Sequence, residues 1–286
     1  MILITGASGN AGGAVLHEVL KSGSGVRALY RSKEDAAKAA QGATAVIADK
    51  QSLRRALEGV DTVYLVCSPA RVSRAGKQHV GCLPRSRRQT RRAELRARSR
   101  RLPKIVSHRH RKVEDKLKAS GMAYTILRPN GFMQNLIAYF APSIRAQGAF
   151  YQSTGNAKIS HIDLRDIAAA AGRILLSTSH HAGKIYELNG PEALSYAEVA
   201  EKISKATGRK VQYVDIPPDA QRKALLDMSM PDFLVTALLE LQEYYAAGKA
   251  SKVDGTLESL INRAPTKMDA FLKENADQFR EQAAKA

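Results

Sequence analysis

The first thirteen residues, MILITGASGNAGG, constrain the fold of this chain more than any other stretch. Met1 to Ile4 is a short apolar run typical of a β-strand, and Thr5 opens a turn with glycines at positions 6, 9 and 12. The residues that follow carry apolar side chains at helical spacing. Strand, glycine turn and helix in this order indicate a phosphate site, because glycines let the backbone approach the ligand while free amides and the positive helix end point at it.

The spacing of the turn is Gly-x-x-Gly-x-x-Gly, which differs from the Gly-x-Gly-x-x-Gly of the commoner dinucleotide fingerprint. The alternative interpretation is an ordinary glycine-rich turn, but such a turn does not require three glycines at this spacing. We therefore predict that the turn binds a dinucleotide cofactor. The predicted contact residues are Gly6, Ser8, Gly9, Asn10, Ala11 and Gly12.

The next apolar run, Val26 to Tyr30, predicts the second strand, and Arg31 follows it directly. At this position an acidic residue selects the ribose 2′-hydroxyl of NAD, whereas a cation selects the 2′-phosphate of NADP. Arg31 therefore predicts NADP(H) as the cofactor. The alternative is that Arg31 is a solvated loop charge and that Glu34 or Asp35 turns back to the ribose.

Strand and helix patterns continue to alternate along the first half of the chain, which predicts an α/β fold with a doubly wound parallel sheet. Ligands of such sheets lie beyond the carboxyl ends of the strands. Three further residues follow predicted strands and are expected to line the cofactor groove: Asp49, Ser68 and Pro69.

The chain of 286 residues is long enough for a nucleotide-binding domain with a smaller appendage. It has no apolar run of membrane-spanning length, so no membrane partner is expected. The glycine turn begins so close to Met1 that we expect no signal or transit peptide. Cys67 and Cys82 are its only cysteines, which offer neither a disulfide framework nor a metal-ligand cluster. We expect a soluble cytoplasmic protein without a metal.

Most of the net charge of +18 comes from one segment, since residues 71–112 contain sixteen Lys or Arg and a single acid, Glu94. Residues 71–107 lack the apolar periodicity that a helix and a fifth strand would need, and only Ile105-Val106 resembles a strand. Three interpretations remain open: a nucleic-acid-binding insertion, a solvated disordered loop, or off-frame coding sequence. The third is preferred, because the flanking sequence is locally consistent, and nucleic acid is not expected as a partner.

Several stretches resemble the NmrA-like atypical short-chain dehydrogenases. They are Ile4 to Gly12, the Arg31 position, Gly121 to Asn135, Asp163 to Ala169 and Ile261 to Thr266. The resemblance covers most of the chain except about 71–107, where the family has a helix and its fifth strand. It implies an NADP(H)-binding Rossmann domain over residues 1–150. Residues 151–286 would then form a mainly helical substrate-binding part, with some strands returning to the sheet.

The resemblance implies two activities. The first is an NADPH-dependent reductase of quinones or related conjugated acceptors, with a small molecule as its partner, because the bacterial quinone and dye reductases are the most similar members. The second is a redox sensor that binds NADP(H) and acts through a partner protein without turnover. The sequence leaves open whether the chain forms a homodimer.

The Tyr-x-x-x-Lys pair of the wider superfamily is absent after the fourth predicted strand. The family tends to carry a single Lys or His before the next strand, and His110 aligns there, so it is our candidate proton donor. Lys112 is the alternative donor. It is equally open that His108 and His110 only belong to a polar run.

The loop after the run Met122 to Leu127 begins at a carboxyl strand end, where a substrate would lie. Within it, Asn130 is the predicted polar anchor, and Phe132 and Met133 are predicted to contact an apolar ring. Packing in the core below the cleft is an open alternative for Met133.

Overall fold

The computed structural model describes residues 1–47, 52–66, 92–96 and 104–280. Seven strands form one fully parallel sheet in the order β3-β2-β1-β4-β5-β6-β8. A separate parallel pair joins β7 to β9. The strands are β1 (Ile2–Thr5), β2 (Val26–Tyr30), β3 (Ala43–Ile47), β4 (Thr62–Val66), β5 (Arg92–Arg96), β6 (Ala123–Pro129), β7 (Ala149–Gln152), β8 (Ile185–Leu188) and β9 (Gln212–Asp215).

The strand order reverses at β1, which has β2 on one side and β4 on the other. This reversal is the topological switch point of a doubly wound fold, where ligands bind beyond the carboxyl ends of the strands. The register pairs Thr5 with Leu29, so β1 and β2 end side by side. The predicted α/β fold with a doubly wound parallel sheet is confirmed, and the glycine turn lies at its switch point.

The helices of the described residues agree with most of the predicted apolar patterns. They are α1 (Asn10–Leu20), α2 (Lys33–Ala37), α3 (Ser52–Ala56), α4 (Lys104–Lys118), α5 (Ala141–Gln147), α6 (Leu164–Leu176), α7 (Tyr196–Thr207), α8 (Pro218–Asp227), α9 (Asp232–Ala246), α10 (Thr256–Ile261) and α11 (Met268–Glu274). A turn of π-helix, Leu136–Phe140, leads directly into α5. None of these helices is long and apolar enough to cross a bilayer.

One prediction for the basic segment, the strand-like character of Ile105-Val106, is wrong. Ile105 and Val106, the only residues there that resemble a strand, lie instead in α4. The fifth strand is β5, whose sequence RAELR carries only two apolar residues, Ala93 and Leu95, and it pairs with β4 and β6 along its whole length. Most of the remaining segment lies outside the described residues.

Contacts divide the chain into two compact units. Unit 1 comprises residues 1–100, 107–129 and 164–188, and unit 2 comprises 101–106, 130–163 and 189–286. This division differs from a single boundary at residue 150, because the chain leaves unit 1 after β6 and returns to it for α6 and β8. The seven-stranded sheet therefore takes one strand, β8, from the second half of the chain.

Each unit has its own apolar core. In unit 1, one cluster around Leu3, Leu29 and Val63 packs with α3, and a second joins α4 to β4 and β6 through Leu65, Val113, Leu117 and Ile126. In unit 2, a larger cluster is centred on Phe140, Phe150 and Tyr196, whose rings stack or meet edge to face. Aromatic packing of this kind stabilises a core beyond the area it buries.

Candidate active site

The glycine turn has the backbone geometry of a phosphate cradle. Gly6 has a positive φ of +64°, in the region that favours glycine, and it reverses the chain directly after β1. The Gly9 amide then donates to the Gly6 carbonyl at 2.9 Å, which closes the turn. Gly9 itself is extended, and α1 begins at the next residue, Asn10.

Gly12 is required by a close approach of α1 to the turn. A Cβ atom added to Gly12 would lie 2.1 Å from the Gly6 carbonyl oxygen and 2.8 Å from that of Thr5. No side chain fits at such distances, so the third glycine of the motif is fixed by helix packing. The first helical turn is thereby held directly against the end of β1.

The first amides of α1 point out of the helix. The Gly13 amide donates to the Gly9 carbonyl, so those of Asn10, Ala11 and Gly12 precede the first intrahelical bond. No side chain among the described residues caps this end. Ser8, Gly9 and Asn10 are exposed, whereas Ala11 and Gly12 are buried. Exposed amides at a positive helix end bind an anion, and a dinucleotide pyrophosphate is an anion of suitable size.

Arg31 immediately follows β2, at the sheet edge where β1 also ends. Its side chain is exposed and makes no ion pair with the residues that the structure describes. Ser32 caps α2 by accepting a hydrogen bond from the Asp35 amide at 3.0 Å. Three other predicted groove residues, Asp49, Ser68 and Pro69, lie outside the described residues.

The two candidate proton donors, His110 and Lys112, both lie on α4 but differ in burial. Its buried face contains His110, Val113, Glu114 and Leu117, which follow helical spacing. His110 is 5% exposed. Lys112 is exposed and lies off this face. The two candidates therefore have different surroundings, and only His110 belongs to the interior of unit 1.

A buried ion pair lies one helical turn beyond His110. Arg128, at the end of β6, donates from Nε to Glu114 Oε1 at 3.2 Å and from Nη2 to Oε2 at 2.8 Å. The side chain of Glu114 is 1% exposed and that of Arg128 is 12% exposed. This bidentate pair fastens α4 to β6. Sequence analysis did not find the pair, because residues 14 apart on different elements show no pattern in common.

Asn130 holds the loop after β6 in place. Its Nδ2 atom donates to Ser160 Oγ at 2.7 Å and to the Ala250 carbonyl at 2.8 Å, and it lies 3.5 Å from Asn189 Oδ1. Its Oδ1 atom accepts from the Gly131 amide at 2.9 Å. The amide of Asn130 is thus engaged within unit 2 and joins segments distant in the sequence.

Phe132 and Met133 differ in their surroundings. Phe132 is half-buried and forms a β-bridge with Ile162. Met133 is fully buried, packs in the core of unit 2, and donates its amide to the Ile162 carbonyl at 3.0 Å. In this arrangement Met133 offers no surface to a ligand, which agrees with the core-packing alternative.

Two aromatic side chains that the sequence did not single out surround Gly131. A Cβ atom at Gly131 would lie 3.1 Å from the Tyr245 hydroxyl and 3.2 Å from Cδ2 of His161. Both rings are buried, and His161 also lies beside Tyr196. Burial, and secondly the nearby Tyr245 and Tyr213, raise the pKa of Tyr196, so its hydroxyl stays protonated. No local motif marks these residues, since they meet only in the folded unit.

With this geometry in view, the family model of the NmrA-like family matches residues 1–80 and 96–272. The chain belongs to the NmrA-like family. The match confirms the resemblance stated above and the Rossmann-type fold. Residues 81–95, in the middle of the basic segment, fall outside the matched ranges.

Two named reductases are similar to this chain over nearly all of its length. The NAD(P)H azoreductase of Xenophilus azovorans is 32% identical over 98% of this chain and 99% of its own. Quinone oxidoreductase 2 of Escherichia coli is 31% identical over 93% of this chain and 95% of its own.

Solved structures of the family agree with the fold. The NADPH complex of the Escherichia coli quinone oxidoreductase has a TM-score of 0.82 at 28% identity, covering 97% of this chain and 99% of that one. The Citrobacter triphenylmethane reductase has a TM-score of 0.84 at 22% identity, covering 96% and 99%. At that identity the second comparison supports the fold alone.

Proposed function

We propose that this chain is an NADPH-dependent oxidoreductase that reduces quinones or related conjugated or aromatic acceptors. The observation that carries the proposal is the fixed glycine turn, in which the backbone leaves no space at Gly12 and the first amides of α1 point outward. Glycine at position 12 lets α1 pack directly against the end of β1, and this places the first amides of the helix at the turn, where they fit a dinucleotide pyrophosphate. The quinone and azo reductases named above support the choice of reaction.

The residues of this chain hold the cofactor and orient it. The amides of Asn10, Ala11 and Gly12 would bind the pyrophosphate, and Arg31 would bind the 2′-phosphate of NADPH. When bound, NADPH supplies a hydride, and together with a proton this converts a quinone to a hydroquinone. Because the cofactor supplies the reducing power, the protein needs only to position the acceptor and provide a proton path.

His110 is the candidate that would give the proton to the acceptor oxygen. Imidazole is suited to this role because its ordinary pKa lies near neutral pH. Its position on the buried face of α4 separates it from the exposed Lys112. Phe132, which is half-buried, is the residue we assign to contact an acceptor ring. Asn130 would keep its loop in place through the hydrogen bonds to Ser160 and Ala250.

The proposal is tested by following NADPH oxidation by the purified protein with a panel of quinones, azo dyes and triphenylmethane dyes. We expect acceptor-dependent oxidation, and we expect His110→Gln to slow turnover at least about tenfold while NADPH binding is unchanged. Circular dichroism would establish that both proteins are folded. NADPH binding without turnover on any acceptor would contradict the reductase and favour an NADP(H)-binding sensor.

A further inference from the structure

An acidic side chain lies against the glycine turn. Ser8 Oγ donates a hydrogen bond to Asp35 Oδ2 at 3.1 Å, although the two residues are 27 positions apart. Asp35 is half-buried, while Ser8 is exposed. The hydrogen bond therefore places the carboxylate at the turn that precedes α1.

Two further contacts fix the place of Asp35. The Asp35 amide donates to Ser32 Oγ at 3.0 Å, which sets the first turn of α2. Residues Ser32 to Asp35 come after β2 and Arg31, and the carboxyl end of β2 adjoins that of β1 through the Thr5–Leu29 pairing. Ser8 follows β1 and Asp35 follows β2, so the two partners of this hydrogen bond are held by adjacent strands of one sheet.

This is the position at which a doubly wound fold distinguishes its two dinucleotides. The ribose 2′ group lies beyond the end of the second strand, where a carboxylate favours a hydroxyl and a cation favours a phosphate. The present chain has both groups in the segment after β2, since Arg31 is exposed and Asp35 contacts Ser8. The two side chains form no ion pair with each other within the part of the chain that the structure describes.

We propose that Asp35 is a specificity-determining residue that weakens the preference for NADPH and admits NADH as a second donor. The inference rests on the proposed function and names its cofactor range. The carboxylate repels a 2′-phosphate bound at Arg31, and it accepts a hydrogen bond from a 2′-hydroxyl. The negative charge of Asp35 therefore weakens the binding of NADPH and strengthens the binding of NADH.

The substitution Glu34→Gln is a matched control, because it removes the same negative charge one residue away from Asp35. Hydrogen bonds with its own backbone amide and with Ser32 lower the pKa of Glu34, so its carboxylate is directed to the start of α2. The Glu34 side chain is exposed, and within the described residues it forms no hydrogen bond with Ser8. A general effect of net charge would act equally at both positions, whereas the contact with Ser8 is specific to Asp35.

The test measures binding of adenosine 2′,5′-bisphosphate and of adenosine 5′-monophosphate to the whole protein by titration calorimetry. We expect Asp35→Asn to raise the affinity ratio of bisphosphate to monophosphate at least about fivefold, and Glu34→Gln to change it less than about twofold. The ratio of kcat/KM for NADPH to that for NADH should rise in parallel. High salt should reduce the difference between variant and wild type.

An unchanged ratio in Asp35→Asn, or equal changes in Asp35→Asn and Glu34→Gln, would overturn the inference. If Asp35→Asn is poorly folded, Ser8→Ala replaces it, because removing the hydroxyl releases the carboxylate, and an unchanged ratio would again overturn the inference. Failure of the wild-type protein to bind NADPH or either nucleotide would overturn the proposed function, and the inference with it. Binding without turnover would contradict the reductase but leave the affinity ratios as a complete test of Asp35.

Discussion

Gly12 shows how one residue limits what the first turn can accept. Its missing Cβ would lie inside van der Waals contact with two carbonyl groups, so the helix can approach the strand end only with glycine there. Gly6 is required for a different reason, its positive φ. Both glycines thus shape the same turn. Gly6 adopts a backbone conformation that favours glycine, and Gly12 leaves room for α1 to approach the end of β1.

Arg128 is the residue whose loss should destabilise unit 1 most selectively. Arg128→Met leaves the Glu114 carboxylate buried without its bidentate partner. Breaking a buried pair from one side costs about 3 kcal/mol. We expect a loss of this size in the free energy of unfolding, measured by urea denaturation.

Two further variants control this prediction. Adding Glu114→Gln to Arg128→Met removes the buried charge, so the double variant should recover at least about 1 kcal/mol relative to Arg128→Met. Arg173→Met, on the exposed side of α6, should change stability by less than about 0.5 kcal/mol. The prediction would be contradicted if Arg128→Met and Arg173→Met had equal effects.

Individual site residues were predictable where a local backbone rule applied, as for Gly6 and Gly12. Asn130 was predicted at a site, yet its partners Ser160 and Ala250 lie 30 and 120 positions away, beyond any local pattern. The Ser8–Asp35 contact was beyond sequence analysis for the same reason. Long-range polar contacts depend on the complete fold and leave no periodic signal.

At the scale of elements, α4 and β5 show where periodicity fails. The sequence RAELR alternates polar and apolar residues over only five positions of a basic segment, and β5 pairs in parallel with both β4 and β6. Strand propensity is weak compared with the pairing that neighbouring strands offer. Helix α4 starts at Lys104, whereas the apolar spacing of its buried face is clear only from His110 onward.

Helix α7 begins at a capping box. Ser195 Oγ accepts from the Glu198 amide at 3.2 Å, and Glu198 Oε2 accepts from the Ser195 amide at 2.7 Å. The bond from the Ser195 backbone, and then that from Lys158, lower the pKa of Glu198. The ionised carboxylate is therefore favoured in the folded state.

The lowered pKa of Glu198 determines how its contribution to the free energy of unfolding changes with pH. A lowered pKa contributes stability above the ordinary glutamate pKa, and that contribution is lost as the pH falls through the folded-state pKa. Because Glu198 is partly exposed, we expect Glu198→Gln to lose only about 0.5 kcal/mol at neutral pH. Urea unfolding at about pH 3 should show a smaller difference. A constant difference at both pH values would contradict the assignment.

At the scale of the whole molecule, the sequence predicted the parallel sheet and its opening strand, glycine turn and helix, but not the path of the chain. Alternating patterns were sufficient for β1 to β4 and for β6. The return of residues 164–188 to unit 1 could not be predicted from patterning, since α6 and β8 have the same local character as elements of unit 2. The family match does not extend over residues 81–95, where the sequence itself departs from its surroundings.

The most direct test compares quinone-dependent NADPH oxidation by the wild-type protein and by Gly12→Ala. Because the added methyl group would displace α1 from the turn, we expect kcat/KM for NADPH to fall at least about a hundredfold. Gly255→Ala is the matched control, since a Cβ atom there meets no neighbour within 4 Å, and it should keep wild-type activity. Equal activity of folded Gly12→Ala and wild type would contradict the assignment of the glycine turn as the cofactor site.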